Sequence, residues 1–97
     1  SEPKPHIFFD APEPGLSKAK FKQAVNKRGV QLALTSKMLC HDGWIFINGE
    51  AHQPDPDDYP SLRKLADERA LPDLSNASPK LTALLYQWYR DGYISPA

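Results

Sequence analysis

Apolar positions first fall into a helical rhythm at Leu16. Leu16 and Phe21 stand where a hydrophobic staple would close around an N-capping Ser17, and Phe21, Ala24 and Val25 continue as one stripe until Gly29. This pattern predicts a first helix over residues 17–28. Val30-Gln-Leu-Ala-Leu34 begins by alternating apolar with polar and predicts a short strand. Met38–His41 and Trp44–Ile47 flank Asp42-Gly43, the strongest short-range hairpin signal, and Asn48-Gly49 closes the second arm with another turn dipeptide. Residues 53–60 are polar, rich in proline and acidic, and lead into a second helix over about 59–70, where Leu62, Leu65, Ala66 and Arg69 share a face before Pro72. Ser78 caps a third helix with Pro79 in its first turn. Leu81, Leu84, Leu85 and Trp88 then recur at i, i+3, i+4 and i+7, Gly92 ends the run, and Tyr93-Ile94 adds an edge strand.

Ahead of Leu16 the pattern changes. Pro3, Pro5, Pro12 and Pro14 surround Ile7-Phe8-Phe9, which predicts an extended arm or linker over 1–15, because proline forbids a regular helix there. Residues 16–97 then form one small α+β domain: a helix, three short antiparallel strands with a hairpin, and two helices, at most two layers deep. Its 97 residues fit a single domain, and 40% hydrophobic residues suffice for a core.

Charge sharpens the picture. Twelve basic residues balance twelve acidic ones, which argues against a dedicated nucleic-acid binder. The balance is uneven along the chain, however. Residues 16–41 hold Lys18, Lys20, Lys22, Lys27, Arg28 and Lys37 with no acid, whereas residues 42–60 hold Asp42, Glu50, Asp55, Asp57 and Asp58 with no base. The two blocks either neutralise each other or present two charged faces. On a helical wheel Lys18 and Lys22 fall on one side of the Phe21–Val25 stripe, and Lys20 and Lys27 about 150–200° away. The lysines therefore flank a buried stripe instead of forming one ridge for phosphates. Lys18, Lys20, Lys22, Lys27 and Arg28 remain the contact set of the alternative reading, a nucleic-acid-binding winged helix.

Chemistry is sparse. Structural zinc uses paired Cys or His ligands at short spacing, and neither pairing occurs among Cys40, His6, His41 and His52. No His-x-Asp or His-x-Glu pair is present for iron, and Asp55, Asp57 and Asp58 lack the glycine and terminal Glu of a calcium loop. Cys40 reads as a small hydrophobe on a hairpin strand, and one cysteine forms no internal disulfide. No nucleophile elbow, phosphate loop or dinucleotide fingerprint appears. Catalytic, cofactor and metal residues are therefore expected to be none in this chain. With no signal peptide and no apolar run long enough for a membrane span, the expected setting is cytoplasmic. Tyr86, Tyr89, Arg90 and Tyr93 make an aromatic C-terminal end partly off the leucine stripe. They read either as core or as an interface for a protein partner.

Several runs carry a family likeness. Thr35-Ser-Lys-Met-Leu39, Phe46-Ile-Asn-Gly-Glu50, Leu62-Arg-Lys-Leu-Ala-Asp-Glu-Arg-Ala-Leu-Pro72 and Leu84-Leu-Tyr-Gln-Trp-Tyr-Arg-Asp-Gly-Tyr93 resemble the C-terminal region of bacterial cupin-type ribosomal oxygenases, as do Pro3-Lys-Pro5 and Pro14-Gly-Leu-Ser17. Those are Jumonji-C-like, Fe(II)- and 2-oxoglutarate-dependent hydroxylases of a ribosomal-protein arginine. The resemblance covers nearly the whole chain and implies a winged-helix-like domain that follows a catalytic cupin and a dimerisation region. It implies a non-catalytic accessory role, since the family's iron ligands and its 2-oxoglutarate site lie in the cupin. The partners it implies are the parent enzyme's other domains, a ribosomal protein and a second parent copy in a homodimer, with no membrane and no nucleic acid.

Overall fold

Side-chain oxygens set where the helices start. In the computed structural model, which describes residues 15–75 and 77–97, the Ser17 hydroxyl accepts from the Lys20 N–H at 3.3 Å and opens helix α1, Lys18–Arg28. Ser78 does the same for the Leu81 N–H at 3.0 Å and opens α3, Pro79–Arg90. Between them runs α2, Tyr59–Glu68. Asp58, buried just ahead of α2, accepts the Ser78 hydroxyl proton at 2.8 Å, so the starts of α2 and α3 are tied by one polar relay. Residues 1–14, and with them nearly all of the expected arm, lie outside the described residues.

Among the described residues six strands form two antiparallel sheets, where three short strands and an edge strand at Tyr93-Ile94 were expected. One sheet has the order β5-β1-β6, from Ala70–Leu71, Val30–Leu32 and Ile94–Pro96. The other has the order β2-β3-β4, from Met38–His41, Trp44–Ile47 and Glu50–His52, and forms the wing. Both wing turns are two-residue loops with positive φ at both positions, Asp42 and Gly43 at 53° and 81° and Asn48 and Gly49 at 49° and 86°. That geometry matches the twist of paired strands, and it is why Asp-Gly and Asn-Gly appear there. The second turn folds back into β4, whose residues Ile45↔His52 and Ile47↔Glu50 pair across β3.

Two boundaries differ from expectation. The first strand stops at Leu32, and Leu34 is almost fully exposed instead of continuing it. The second helix stops at Glu68, because Arg69 turns left-handed with φ 62°. The Arg69 carbonyl accepts the Leu32 N–H at 2.9 Å, and its guanidinium donates to the carbonyls of Ser36 at 3.0 Å and Ala33 at 2.7 Å. Arg69 thus spans the β1–β2 connection, and its turn lets Ala70–Leu71 pair with β1.

The core lies among the three helices and the inner faces of the sheets. Phe21 and Val25 of α1, Leu62 and Leu65 of α2, and Leu81, Leu85 and Trp88 of α3 meet Val30, Ile45, Ile47, Leu71 and Ile94, all buried. α1 packs on β6 and α3, and α2 on β2 and β5. No helix among the described residues is long and apolar enough to cross a membrane.

Candidate interaction surfaces

The aromatic end of α3 is assembled around the backbone of one residue. Leu16, at the entrance to α1, gives its N–H to the Tyr89 hydroxyl at 2.9 Å, and its carbonyl accepts the Tyr86 hydroxyl proton at 2.9 Å. Phe21 sits beneath both rings, with centroids 5.4 Å from Tyr86 and 4.9 Å from Tyr89. Tyr89 is buried, Tyr86 half-buried, and the exposed Arg90 guanidinium lies 5.9 Å from the Tyr86 ring centre. Of the four residues expected as an interface, Tyr86 and Arg90 therefore meet solvent, while Tyr89 and Tyr93 are spent mainly on the fold. Tyr86→Phe together with Tyr89→Phe is expected to lower stability by about 1–3 kcal/mol, at about 1 kcal/mol per hydrogen bond. A fall in the urea midpoint with an unchanged slope is the check, because the packed rings remain.

Tyr93 belongs to a second group, beside the wing. Its hydroxyl donates to Glu50 Oε2 at 2.6 Å, Glu50 Oε1 lies 3.1 Å from His52 Nε2, and the His52 ring stands edge-on to Trp88 at 5.5 Å. On the other side the Tyr93 carbonyl accepts the Ser36 hydroxyl proton at 2.8 Å. Ser36 Oγ in turn accepts from Asn48 Nδ2 at 3.1 Å, and Asn48 Oδ1 accepts the Lys37 N–H at 2.9 Å. Ser36, Asn48, Glu50, Arg69 and Tyr93, drawn from the runs that carry the family likeness, are thus joined through Ser36 and Tyr93 into one polar network. They hold the wing, the β1–β2 connection and the C-terminal strand together.

Burial, reinforced by the accepting Glu50 carboxylate, holds the Tyr93 hydroxyl well above the ordinary tyrosine range. The folded state therefore keeps a proton that the unfolded chain releases near pH ~10. Stability from this group is complete below that pH and is lost as the pH rises beyond it. Urea midpoints measured from neutral pH into alkali are expected to fall more steeply for the native chain than for Tyr93→Phe. Equal slopes would remove Tyr93 as the cause.

The basic residues of α1 stand where the helical angles put them. Phe21 and Val25 are buried, Ala24 is half-buried, and Lys18, Lys20, Lys22, Lys27 and Arg28 are all exposed. Cys40 is half-buried on the wing, and desolvation, with the nearby Asp67 carboxylate, pushes its thiol up, so it is no ready nucleophile. Among the described residues no three His, Cys, Asp or Glu side chains stand close enough to share a metal ion. The outer wing face went unnoticed in the sequence. Leu39 is 58% exposed, and Trp44 and Phe46 are each 39% exposed, on the side opposite Ile45 and Ile47. Trp44–Ile47 is apolar at all four positions, more than one buried sheet face can take, and that was the available signal.

The chain matches the ROXA-like winged helix family over residues 1–95. It belongs to that family. The α+β arrangement of helix, wing and two further helices is thereby a ROXA-like winged helix. The X-ray structure of Escherichia coli ycfD superposes with a TM-score of 0.78 at 21% identity, covering 92% of this chain and 25% of that one. A structure of YcfD described as a ribosomal oxygenase from Escherichia coli gives 0.73 at 23% identity over 89% of this chain. A third, of the same enzyme in complex with cobalt and 2-oxoglutarate, gives 0.72 at 24% identity, also over 89%. At these identities the likeness establishes the fold. This chain spans about a quarter of the length of each of these structures. No curated protein sequence matches it. Cobalt accompanies 2-oxoglutarate in the third structure, and the described side chains of this chain offer no donor set that fits such a metal.

Proposed function

We propose that this ROXA-like winged helix is a non-catalytic accessory domain of an Fe(II)- and 2-oxoglutarate-dependent ribosomal-protein arginine hydroxylase. In this reading it packs against the parent's catalytic and dimerisation regions, and the parent works as a homodimer. The observation that carries the reading is the family match over residues 1–95, together with a chain that accounts for only a quarter of each ribosomal-oxygenase structure it superposes on. The internal geometry supports it. The polar side chains that would draw attention as chemistry, Tyr86, Tyr89, Tyr93, Glu50 and Ser36, hold the backbone and one another. Iron and 2-oxoglutarate would be bound by the parent's cupin and not by these residues.

The test compares three proteins for conversion of 2-oxoglutarate to succinate with ferrous iron: this chain, the full product of its gene, and that product without residues 16–97. The chain alone is expected to be inactive, and the full product active on a ribosomal protein. The truncated product is expected to keep iron and 2-oxoglutarate binding but to lose stability or turnover of the protein substrate. Turnover by the chain alone, or a gene with no cupin, would overturn the proposal.

A further inference from the structure

Five of the eleven residues of α1 are basic and none is acidic. Lys18, Lys20, Lys22, Lys27 and Arg28 are all exposed, and no ion pair engages any of them among the described residues. The elements packed on α1 bring no counter-charge, since neither α3 nor β6 contains an Asp or Glu. Asp91, just past α3, accepts from the Gln87 amide at 3.2 Å, and Asp55 faces Lys80 at 3.6 Å. Residues 1–14 hold three acids and one lysine, so wherever they lie they leave a surplus of positive charge on the helix.

Nothing in the fold asks for this charge where α1 begins. Lys18 and Lys20 stand in the first turn, where the helix dipole favours acids. Lys20 occupies the third helical position after the Ser17 cap, which Glu or Gln commonly fills to complete a capping box. Lys18 and Lys22, four residues apart, repel each other. Seen down the axis, the solvent midline of α1 is Ala19, Gln23 and Asn26, all exposed. Lys18 and Lys22 form a row on one side and Lys20 and Lys27 on the other, each about 70–110° from that midline. The split that denies a single ridge thus gives two basic rows with small or uncharged residues between them.

We propose that the solvent face of α1 binds a double-stranded nucleic acid, Lys18 and Lys22 meeting the phosphates of one strand and Lys20 and Lys27 those of the other. A helix with its side chains is about 10–12 Å across, close to the ~12 Å width of a B-form major groove. Protein partners fit less well, because interfaces are poor in lysine and the midline offers no aromatic or large apolar anchor. A membrane surface would need an apolar helix face, and Phe21 and Val25 are committed to the core. Overall neutrality does not prevent such binding. At 0.1 M salt, charges more than about 10 Å away are largely screened, so the local rows decide. DNA and RNA duplexes share the phosphate chemistry, and the measurement separates them. Such binding would be additional to the accessory role and does not depend on it.

The probes are short DNA and RNA duplexes titrated with the full chain and read by fluorescence anisotropy, from about 50 to 200 mM salt. Four phosphate contacts are expected to give a log–log slope of about −3 to −4, so affinity falls about a hundredfold over that range. Lys20→Gln with Lys27→Gln, or Lys18→Gln with Lys22→Gln, is expected to flatten the slope by about two. Lys64→Gln with Lys80→Gln changes the net charge equally on α2 and α3, and is expected to leave the slope unchanged. Ala19→Glu sets a carboxylate between the rows and is expected to cut affinity about tenfold or more. Its circular dichroism should stay native, because an acid in the first turn favours the helix. Binding of either duplex with this slope supports the proposal, and the tighter one names the source. No binding of either duplex at low salt, or an α1 pair indistinguishable from the α2–α3 pair, would overturn it. So would single strands bound as well as duplexes, or displacement of the duplex by an equal concentration of polyglutamate. None of these results touches the turnover measurements that test the accessory role.

Discussion

Gly29→Ala is expected to lower the melting temperature by roughly 15–30 °C, because two costs fall on one atom. Gly29 ends α1 with φ 75° and ψ −169°, a region that is essentially reserved for glycine. A Cβ at this position would also meet the Leu71 carbonyl oxygen and lie 2.6 Å from Pro72 Cα, both of them backbone, so no side chain can swing aside. Strain and overpacking together come to about 3–5 kcal/mol, out of a total of about 5–15 for a domain of this kind. The position is crowded because it is a crossing point. The Gly29 N–H donates to the Val25 carbonyl at 2.7 Å and its carbonyl accepts the Ala97 N–H at 3.0 Å, while β5 passes alongside. Gly43→Ala is the matched comparison. It has a similar φ of 81° but nothing within 4 Å of the added carbon, so only strain of about 1–2 kcal/mol is expected. Equal losses for the two variants in thermal melts would show that β5 can give way at Gly29.

Trp88→Ala is the second large effect, at about 3–5 kcal/mol by the usual cost of removing a buried aromatic. Trp88 is fully buried on α3, among the leucines of that helix and edge-on to His52 of β4. An alanine there would leave a void that helices and wing share, so the loss should appear as one cooperative transition at a lower urea midpoint. The indole nitrogen has no hydrogen-bond partner among the described residues. Trp88→Phe therefore forfeits packing but no protein hydrogen bond, and is expected to cost only about 1–2 kcal/mol. A phenylalanine variant as unstable as the alanine one would mean that the nitrogen matters after all.

The helices, the hairpin and their caps were legible because their signals are local. Ser17, Ser78, Asp42-Gly43 and Asn48-Gly49 each act on backbone within a few residues. The missed strands are those with no pattern of their own. Glu50–His52 is too short to alternate visibly, and Ala70–Leu71 is a strand only because Val30 lies beside it. Arg69 looked like the last residue of a helical face, and only its reach to Ala33 and Ser36, more than thirty residues away, explains the left-handed turn. The tyrosines were ambiguous for the same reason, since the backbone atoms that satisfy Tyr86 and Tyr89 lie 70 and 73 residues earlier. Their apolar rings predicted burial, and nothing nearby could predict Leu16 as the partner. The outer wing face was hidden differently. The apolar run beside Asp42-Gly43 gave the strand, but which face the core would cover depended on how α2 and α3 pack beneath it.

The two tyrosine hydroxyls on Leu16 also decide where force travels. A pull applied at Leu16 reaches α3 through that residue's N–H and carbonyl before it can peel the first turn of α1. Helix α3 is bonded through Tyr93 to the wing and through Ser78 to α2, so the load spreads over the domain at once. From Leu16 onward, the entrance to α1 and the rest of the winged helix should therefore move as one body.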